Sequence, residues 1–242
     1  MIKYIELKNT FRNRRFILFT IITPVMWYLF MISMSKSAGF FTQRYSSVWW
    51  VASCVMGIMG NSVITFGKTI NNSQKFYFLQ AKTSHYDIKN WMIDQMLIQL
   101  VLNLLIACTV TICAIGMQTI NLNLNFLIEM IICQVIGLYL CLIGFVIGIV
   151  ADSKLLETLS FPIMVFFALL IVPFNTWTTG TLVSIISAIQ KFFPGYYLFK
   201  ITQELTNGYN IFPALTQLFG TIILSGIPLV AFVWLHLRKK TN

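Results

Sequence analysis

The sequence predicts an all-α membrane protein, and three observations support this fold class. Of its 242 residues, 57% are hydrophobic and only 10% are charged, and the mean hydropathy is +0.79. Soluble domains carry about a quarter charged residues, so a soluble globule and a disordered chain are both excluded. Uncharged runs of about 20 residues, the length a helix needs to cross a bilayer, recur along the chain. The net charge of +10 arises between these runs, which indicates a membrane partner and no nucleic acid.

The amino-terminal residues 1–15 combine Ile2 and Ile5 with a cluster of arginines and lysines. This pattern predicts a short amphipathic helix lying on the membrane surface. Six spans follow, over residues 16–35, 45–67, 95–116, 126–151, 158–174 and 214–235. Glu129 interrupts the fourth span near one end, where a carboxylate hydrates at low cost, so a structural interpretation is favoured over a functional one.

The distribution of basic residues predicts which side of the membrane each loop occupies, because cytoplasmic loops are enriched in Lys and Arg. Thirteen lie on the side of the two termini: Lys3, Lys8, Arg12, Arg14, Arg15, Lys68, Lys75, Lys82, Lys89, Lys154, Arg238, Lys239 and Lys240. Four lie opposite: Lys36, Arg44, Lys191 and Lys200. Both termini are therefore expected in the cytoplasm, as an even number of spans requires.

Residues 175–212 are outer by this topology, yet they are largely apolar. Irregular backbone at membrane depth must be buried in protein, so two short helices, broken at Pro194-Gly195, are expected to fold back into the bundle. The expected outer gate consists of Phe193, Pro194, Gly195, Tyr196 and Tyr197.

No nucleotide site is expected in this chain. Gly67-Lys68-Thr69 resembles the end of a phosphate-binding P-loop, but the glycine that the motif requires at position 62 is Ser62. The residues before Gly67 also belong to a predicted membrane span. No acid–base pair, nucleophile or metal motif is recognisable in the sequence. Any energy that the protein uses must therefore come from elsewhere, or no energy is used.

The inward loop 68–91 holds the aromatic and apolar cluster Phe76, Tyr77, Phe78 and Leu79, flanked by Lys75 and Lys82. Two interpretations remain open. The cluster is either an interfacial anchor or part of a short helix whose apolar side chains bind a soluble partner. Only this inward segment is long enough to hold a helix of two or more turns between two spans.

In layout the chain resembles the permease subunits of ABC-2 type exporters, over essentially its whole length. The resemblance is carried by the basic amino-terminal helix, the six spans, the helical loop after span two, the turn Ala151-Asp152-Ser153-Lys154 and the run Phe193-Pro194-Gly195-Tyr196-Tyr197. Where that family often shows an acidic Glu-Arg-Glu-x-Gly-Thr run, this sequence has Asn71-Asn72-Ser73-Gln74.

The resemblance implies one permease domain over residues 1–242 and a partner ABC ATPase that carries ATP and magnesium, with no cofactor in this chain. A second permease copy, identical or paralogous, is implied as well. The implied coupling residues are Lys75, Phe76, Tyr77, Phe78, Leu79, Lys82, Asp152 and Lys154. Small permeases of this kind are similar to plasma-membrane exporters of antimicrobial peptides, toxins such as phenol-soluble modulins, and lipophilic drugs. A lipid-modifying membrane enzyme and a passive channel or scaffold remain as alternatives.

Overall fold

The computed structural model describes residues 12, 17–83, 88–173 and 180–241. Within these residues all regular secondary structure is helical, and there is no strand. The helices are α1 (Thr23–Ser37), α2 (Gln43–Met59), α3 (Phe66–Thr83), α4 (Ile88–Gly116), α5 (Leu124–Val150), α6 (Ser153–Ile171), α7 (Thr181–Gln190), α8 (Pro194–Asn207) and α9 (Phe212–Thr241). Two π-helical segments, Ile17–Ile22 and Gly60–Thr65, lead into α1 and join α2 to α3. The expected surface helix over 1–15 lies outside the described residues, apart from Arg12.

Four helical runs of the described chain are long and apolar enough to cross a membrane: Gln43–Gln74, Asn90–Gly116, Leu124–Val150 and Phe212–His236. A fifth is obtained if α7 and α8, whose axes are bent by 104° relative to each other, form one broken span. The expected spans 16–35 and 158–174 fall on α1 and α6, which are not among these four. The all-helical fold class, with four or five helices that could cross a membrane, is thus confirmed, and the six spans and the re-entrant hairpin stay predictions.

The second predicted span is longer than its sequence indicated. It was expected to end at Gly67, but α2, the π-helical segment and α3 run without a break from Gln43 to Thr83. The helix continues because Phe66, Ile70 and Tyr77 recur at helical spacing and are all buried. Their face packs with Trp91 and Phe145 in one apolar cluster.

Glycines allow α5 to approach this run closely. A Cβ atom on Gly144 would overlap the Ser62 carbonyl oxygen, and one on Gly148 would lie 2.5 Å from the Gly67 carbonyl oxygen. Small residues four apart are the usual means by which membrane helices bring their backbones together. The Gly144/Gly148 pair therefore fixes α5 against the π-helical segment and α3.

The bundle has two ends, which we name by the turns that mark them. The Asp152 end contains the α5–α6 turn and α3, which are joined by a hydrogen bond from the Asn71 side chain. The Asn123 end contains the α4–α5 turn, the start of α2 and the end of α8. Between them the outward faces are apolar, and on α9 the exposed large side chains include Phe219, Ile223, Leu224, Ile227 and Val230. Lipid is the solvent that such faces require.

Candidate functional site

The Asp152 end brings together the two inward regions that the sequence analysis singled out. The Asn71 side chain on α3 donates hydrogen bonds to the Ala151 carbonyl at 2.7 Å and the Gly148 carbonyl at 3.3 Å. The last carbonyls of a helix have no partner within that helix, so Asn71 supplies one at the end of α5. This contact joins α3 to the α5–α6 turn.

A second contact reinforces this junction. Lys68 on α3 forms an ion pair with Glu157 on α6, with 3.2 Å between Nζ and Oε1. Both side chains are partly exposed, so the pair contributes at most about 1 kcal/mol. It adds a contact between α3 and α6.

The aromatic cluster on α3 divides into two faces. Tyr77 is 5% exposed and stacks on Trp91, with ring centroids 4.9 Å apart and an angle of 23° between the planes. Phe76 and Leu79, three residues apart on one side of the helix, are 63% and 67% exposed. Tyr77 therefore anchors α3 in the bundle, whereas Phe76 and Leu79 offer an apolar surface. The side chains of Lys75, Phe78 and Lys82 lie outside the described residues.

Asp152 and Lys154 lie at the start of α6, next to the Asn71 contact with the α5–α6 turn. Asp152 is the residue that precedes the helix, in an extended conformation, and its carbonyl accepts a 3.0 Å hydrogen bond from the Leu156 amide. Its exposed side chain adds negative charge where the helix dipole favours it. Lys154 is exposed as well. The Asp152 end therefore combines exposed apolar side chains with both signs of charge on a rigid helical base, which suits protein docking.

The five expected gate residues form a buried corner where α7 turns into α8. Phe193 is half-buried and contacts the rings of Tyr139 and Phe167 at centroid distances of 5.6 and 5.8 Å. Pro194 opens α8. A Cβ atom on Gly195 would lie 2.7 Å from Ile171 Cγ1 on α6. This corner is therefore tightly packed against α5 and α6.

The tyrosines complete the corner. Tyr196 and Tyr197 are both buried, and their rings meet edge to face with centroids 5.4 Å apart. The Tyr197 hydroxyl donates a 3.0 Å hydrogen bond to the Lys191 carbonyl. That bond ties the first turn of α8 back to the chain that leaves α7. Residues 175–179 of the expected re-entrant region lie outside the described residues.

One group of residues was missed by the sequence analysis. The Asn61 side-chain amide donates to Gln99 at 2.8 Å and to Asn103 at 3.0 Å. Ser62 and Cys141 complete the network, and all five side chains are buried between the π-helical segment, α4 and α5. Amides inside uncharged spans were the available signal, because polar side chains at membrane depth must find partners. A π-helical segment often marks a functional position, and this one carries two of the five residues.

Among the described residues, no three His, Cys, Asp or Glu side chains lie close enough to share a metal ion. No protein-family model, curated protein or solved structure significantly matches this chain.

Proposed function

We propose that this chain is the membrane subunit of an ATP-driven exporter in the plasma membrane. In this proposal the Asp152 end faces the cytoplasm, as the basic bias predicts, and docks on a separate ABC ATPase that binds ATP and magnesium. The full permease has six spans, with both termini cytoplasmic. Its cargo is an amphipathic or hydrophobic molecule, such as a peptide, a toxin or a lipophilic drug.

The observation that supports the proposal most directly is the position of Phe76 and Leu79. Both protrude from the far end of the helical run that starts at Gln43 inside the bundle. About 27 Å of helix, at ~1.5 Å per residue, separates Leu79 from Asn61 in the buried polar network. A partner bound to Phe76 and Leu79 would therefore act on a continuous helical run that extends to the buried polar network at Asn61.

The junction at the Asp152 end extends this coupling to other helices. Because Asn71 bonds the end of α5 and Lys68 pairs with Glu157 on α6, movement of α3 would be transmitted first to α5 and, more weakly, to α6. Interface energy concentrates in a few aromatic or apolar anchors, which is the role proposed for Phe76 and Leu79. Asp152 and Lys154, together with Lys75, Phe78 and Lys82, would form the charged and apolar surroundings of these anchors.

The bent pair α7 and α8 supports the re-entrant part of the proposal. The two helices meet at 104°, and α8 packs against α2, α5, α6 and α9. In this interpretation residues 175–212 enter the bundle from the outer side, and the corner from Phe193 to Tyr197 closes the cargo path. A second permease copy would contact the exposed apolar faces and complete that path.

The test is whether a magnesium-dependent ATPase activity accompanies the purified chain. The full-length protein is isolated from its native membrane in mild detergent, and ATP hydrolysis is measured per mole of permease. Phe76→Ala/Leu79→Ala should lower the co-purifying activity at least fivefold. Ile223→Ala/Leu224→Ala, an equally apolar exposed pair on α9, is the matched control. Equal ATPase activity with the two double variants, or no activity with the unmodified chain, contradicts the proposal.

A further inference from the structure

A polar cavity opens at the Asn123 end, remote from the proposed docking surface. Its volume is about 160 Å³, and eight of the eleven residues that line it have polar side chains. One water molecule needs only about 10–15 Å³ of such a volume, so the cavity has room for several. This is the size of a small polar group rather than of a single ion.

Glu129 gives this cavity its chemistry. It lies on α5, about 7.5 Å along the helix from Leu124 at ~1.5 Å per residue. Its side chain lines the cavity, the residue is only 2% exposed, and its Oε2 atom makes no hydrogen bond within the described chain. A carboxylate removed from water is costly unless a positive group pairs with it. The cavity therefore contains a buried acid with an unused acceptor.

Arg44 supplies the opposite charge. It is exposed on the first turn of α2, and its side chain lines the same cavity. No ion pair joins Arg44 to Glu129 in the described structure, so both groups remain available to a ligand. A guanidinium binds phosphate or carboxylate oxygens with two parallel hydrogen bonds.

We propose that this cavity binds a zwitterionic group, with a primary ammonium on Glu129 and a phosphate on Arg44 at the mouth. Ser47 and Thr206, which also line the cavity, provide hydroxyls to a bound polar group. The same chemistry belongs to free phosphoethanolamine and to the headgroup of phosphatidylethanolamine. This site is independent of the exporter proposal, because neither the ATPase nor the Asp152 end takes part in it.

The test uses phosphoethanolamine as the probe and the full chain in a non-ionic detergent. Binding is followed by broadening of the probe's phosphorus NMR line. Glu129→Gln keeps the shape of the side chain but removes its charge, and it should weaken binding at least tenfold. Glu204→Gln, an acid on α8 outside the cavity, should leave the affinity within twofold. Phosphocholine, whose quaternary ammonium cannot donate a hydrogen bond, should bind at least tenfold more weakly than phosphoethanolamine.

A second arm distinguishes the two sources of the group. Native mass spectrometry counts phosphatidylethanolamine and phosphatidylcholine molecules retained by the chain in mixed micelles. Glu129-dependent retention of phosphatidylethanolamine indicates a lipid headgroup, whereas Glu129-dependent binding of the soluble probe alone indicates a free zwitterion. If Glu129→Gln does not fold, the same binding measurement is made on Arg44→Gln, whose affinity for phosphoethanolamine should also fall at least tenfold. Wild-type affinity in the folded variant, or no binding in either arm, overturns the proposal.

Discussion

The Asn71 side chain and the Ala151 carbonyl, 80 residues apart in the sequence, are joined by a 2.7 Å hydrogen bond. This bond closes the end of α5 with a side chain from α3. It also places the α5–α6 turn beside the helix that carries Phe76 and Leu79. The two regions that the sequence predicts to face inward therefore form one structural unit at the Asp152 end.

Removing this bond should loosen the unit. Asn71→Ala leaves carbonyls at the end of α5 without their partner, so we expect the free energy of unfolding in mixed micelles to fall by about 1–2 kcal/mol. Thr69→Ala is the control, because the exposed Thr69 hydroxyl bonds only to the Thr65 carbonyl of the same helical run. A loss no larger than that of the control would show that Asn71 does not hold the turn.

The two faces of the aromatic cluster should respond differently to truncation. Tyr77→Ala removes the ring that stacks on Trp91, and the expected loss of unfolding free energy is about 3 kcal/mol. Phe76→Ala removes an exposed ring and should change stability by no more than about 0.5 kcal/mol. Thermal unfolding of the two variants checks this. Equal destabilisation would show that Phe76 also serves as a structural anchor.

The buried amide network should show measurable coupling. In a double-mutant cycle of Asn61→Ala and Asn103→Ala, the interaction free energy should be about 0.6 kcal/mol and at most about 1.7 kcal/mol, as for other side-chain bonds between membrane helices. Unfolding in mixed micelles gives the four free energies that the cycle requires. Strict additivity would mean that the two amides do not stabilise each other.

The close approach of α5 should tolerate no added methyl group. Gly144→Ala places a Cβ against the Ser62 carbonyl, and we expect a loss of about 1–3 kcal/mol from overpacking. Gly220→Ala on α9 is the matched control, because nothing lies within 4 Å of its added Cβ. That variant should be neutral or slightly stabilised, since alanine favours helix. Similar stability of the two variants would contradict the close packing.

Composition was sufficient to predict an all-helical membrane protein, because a helix in lipid depends mainly on a long uncharged run. It was less informative about helix ends. Gly67 and Lys68 suggested the end of a span, yet the chain remains helical to Thr83. The helix is stabilised there because Tyr77 stacks on Trp91 of α4, and the sequence does not show that these two helices are in contact.

The site residues were harder to predict than the fold. Phe76 and Tyr77 are adjacent and chemically similar, and only tertiary packing makes one exposed and the other buried. Glu129, favoured from the sequence as a structural acid near the membrane interface, is only 2% exposed and lines a polar cavity that the sequence does not reveal. Around Glu129 the start of α2, the α4–α5 turn and the end of α8 come together, and residues so far apart in the sequence are joined only by tertiary packing.

The most direct test of the proposed docking role is photo-crosslinking from position 76 in native membranes. Phe76 is replaced by a photoreactive benzoylphenylalanine, and Leu224 on α9 is replaced in the same way as the control. The docking proposal predicts that position 76 crosslinks to a soluble ATPase with a P-loop, and that position 224 does not. Crosslinks from position 76 to lipid alone would contradict the proposal, as would the same products from both positions.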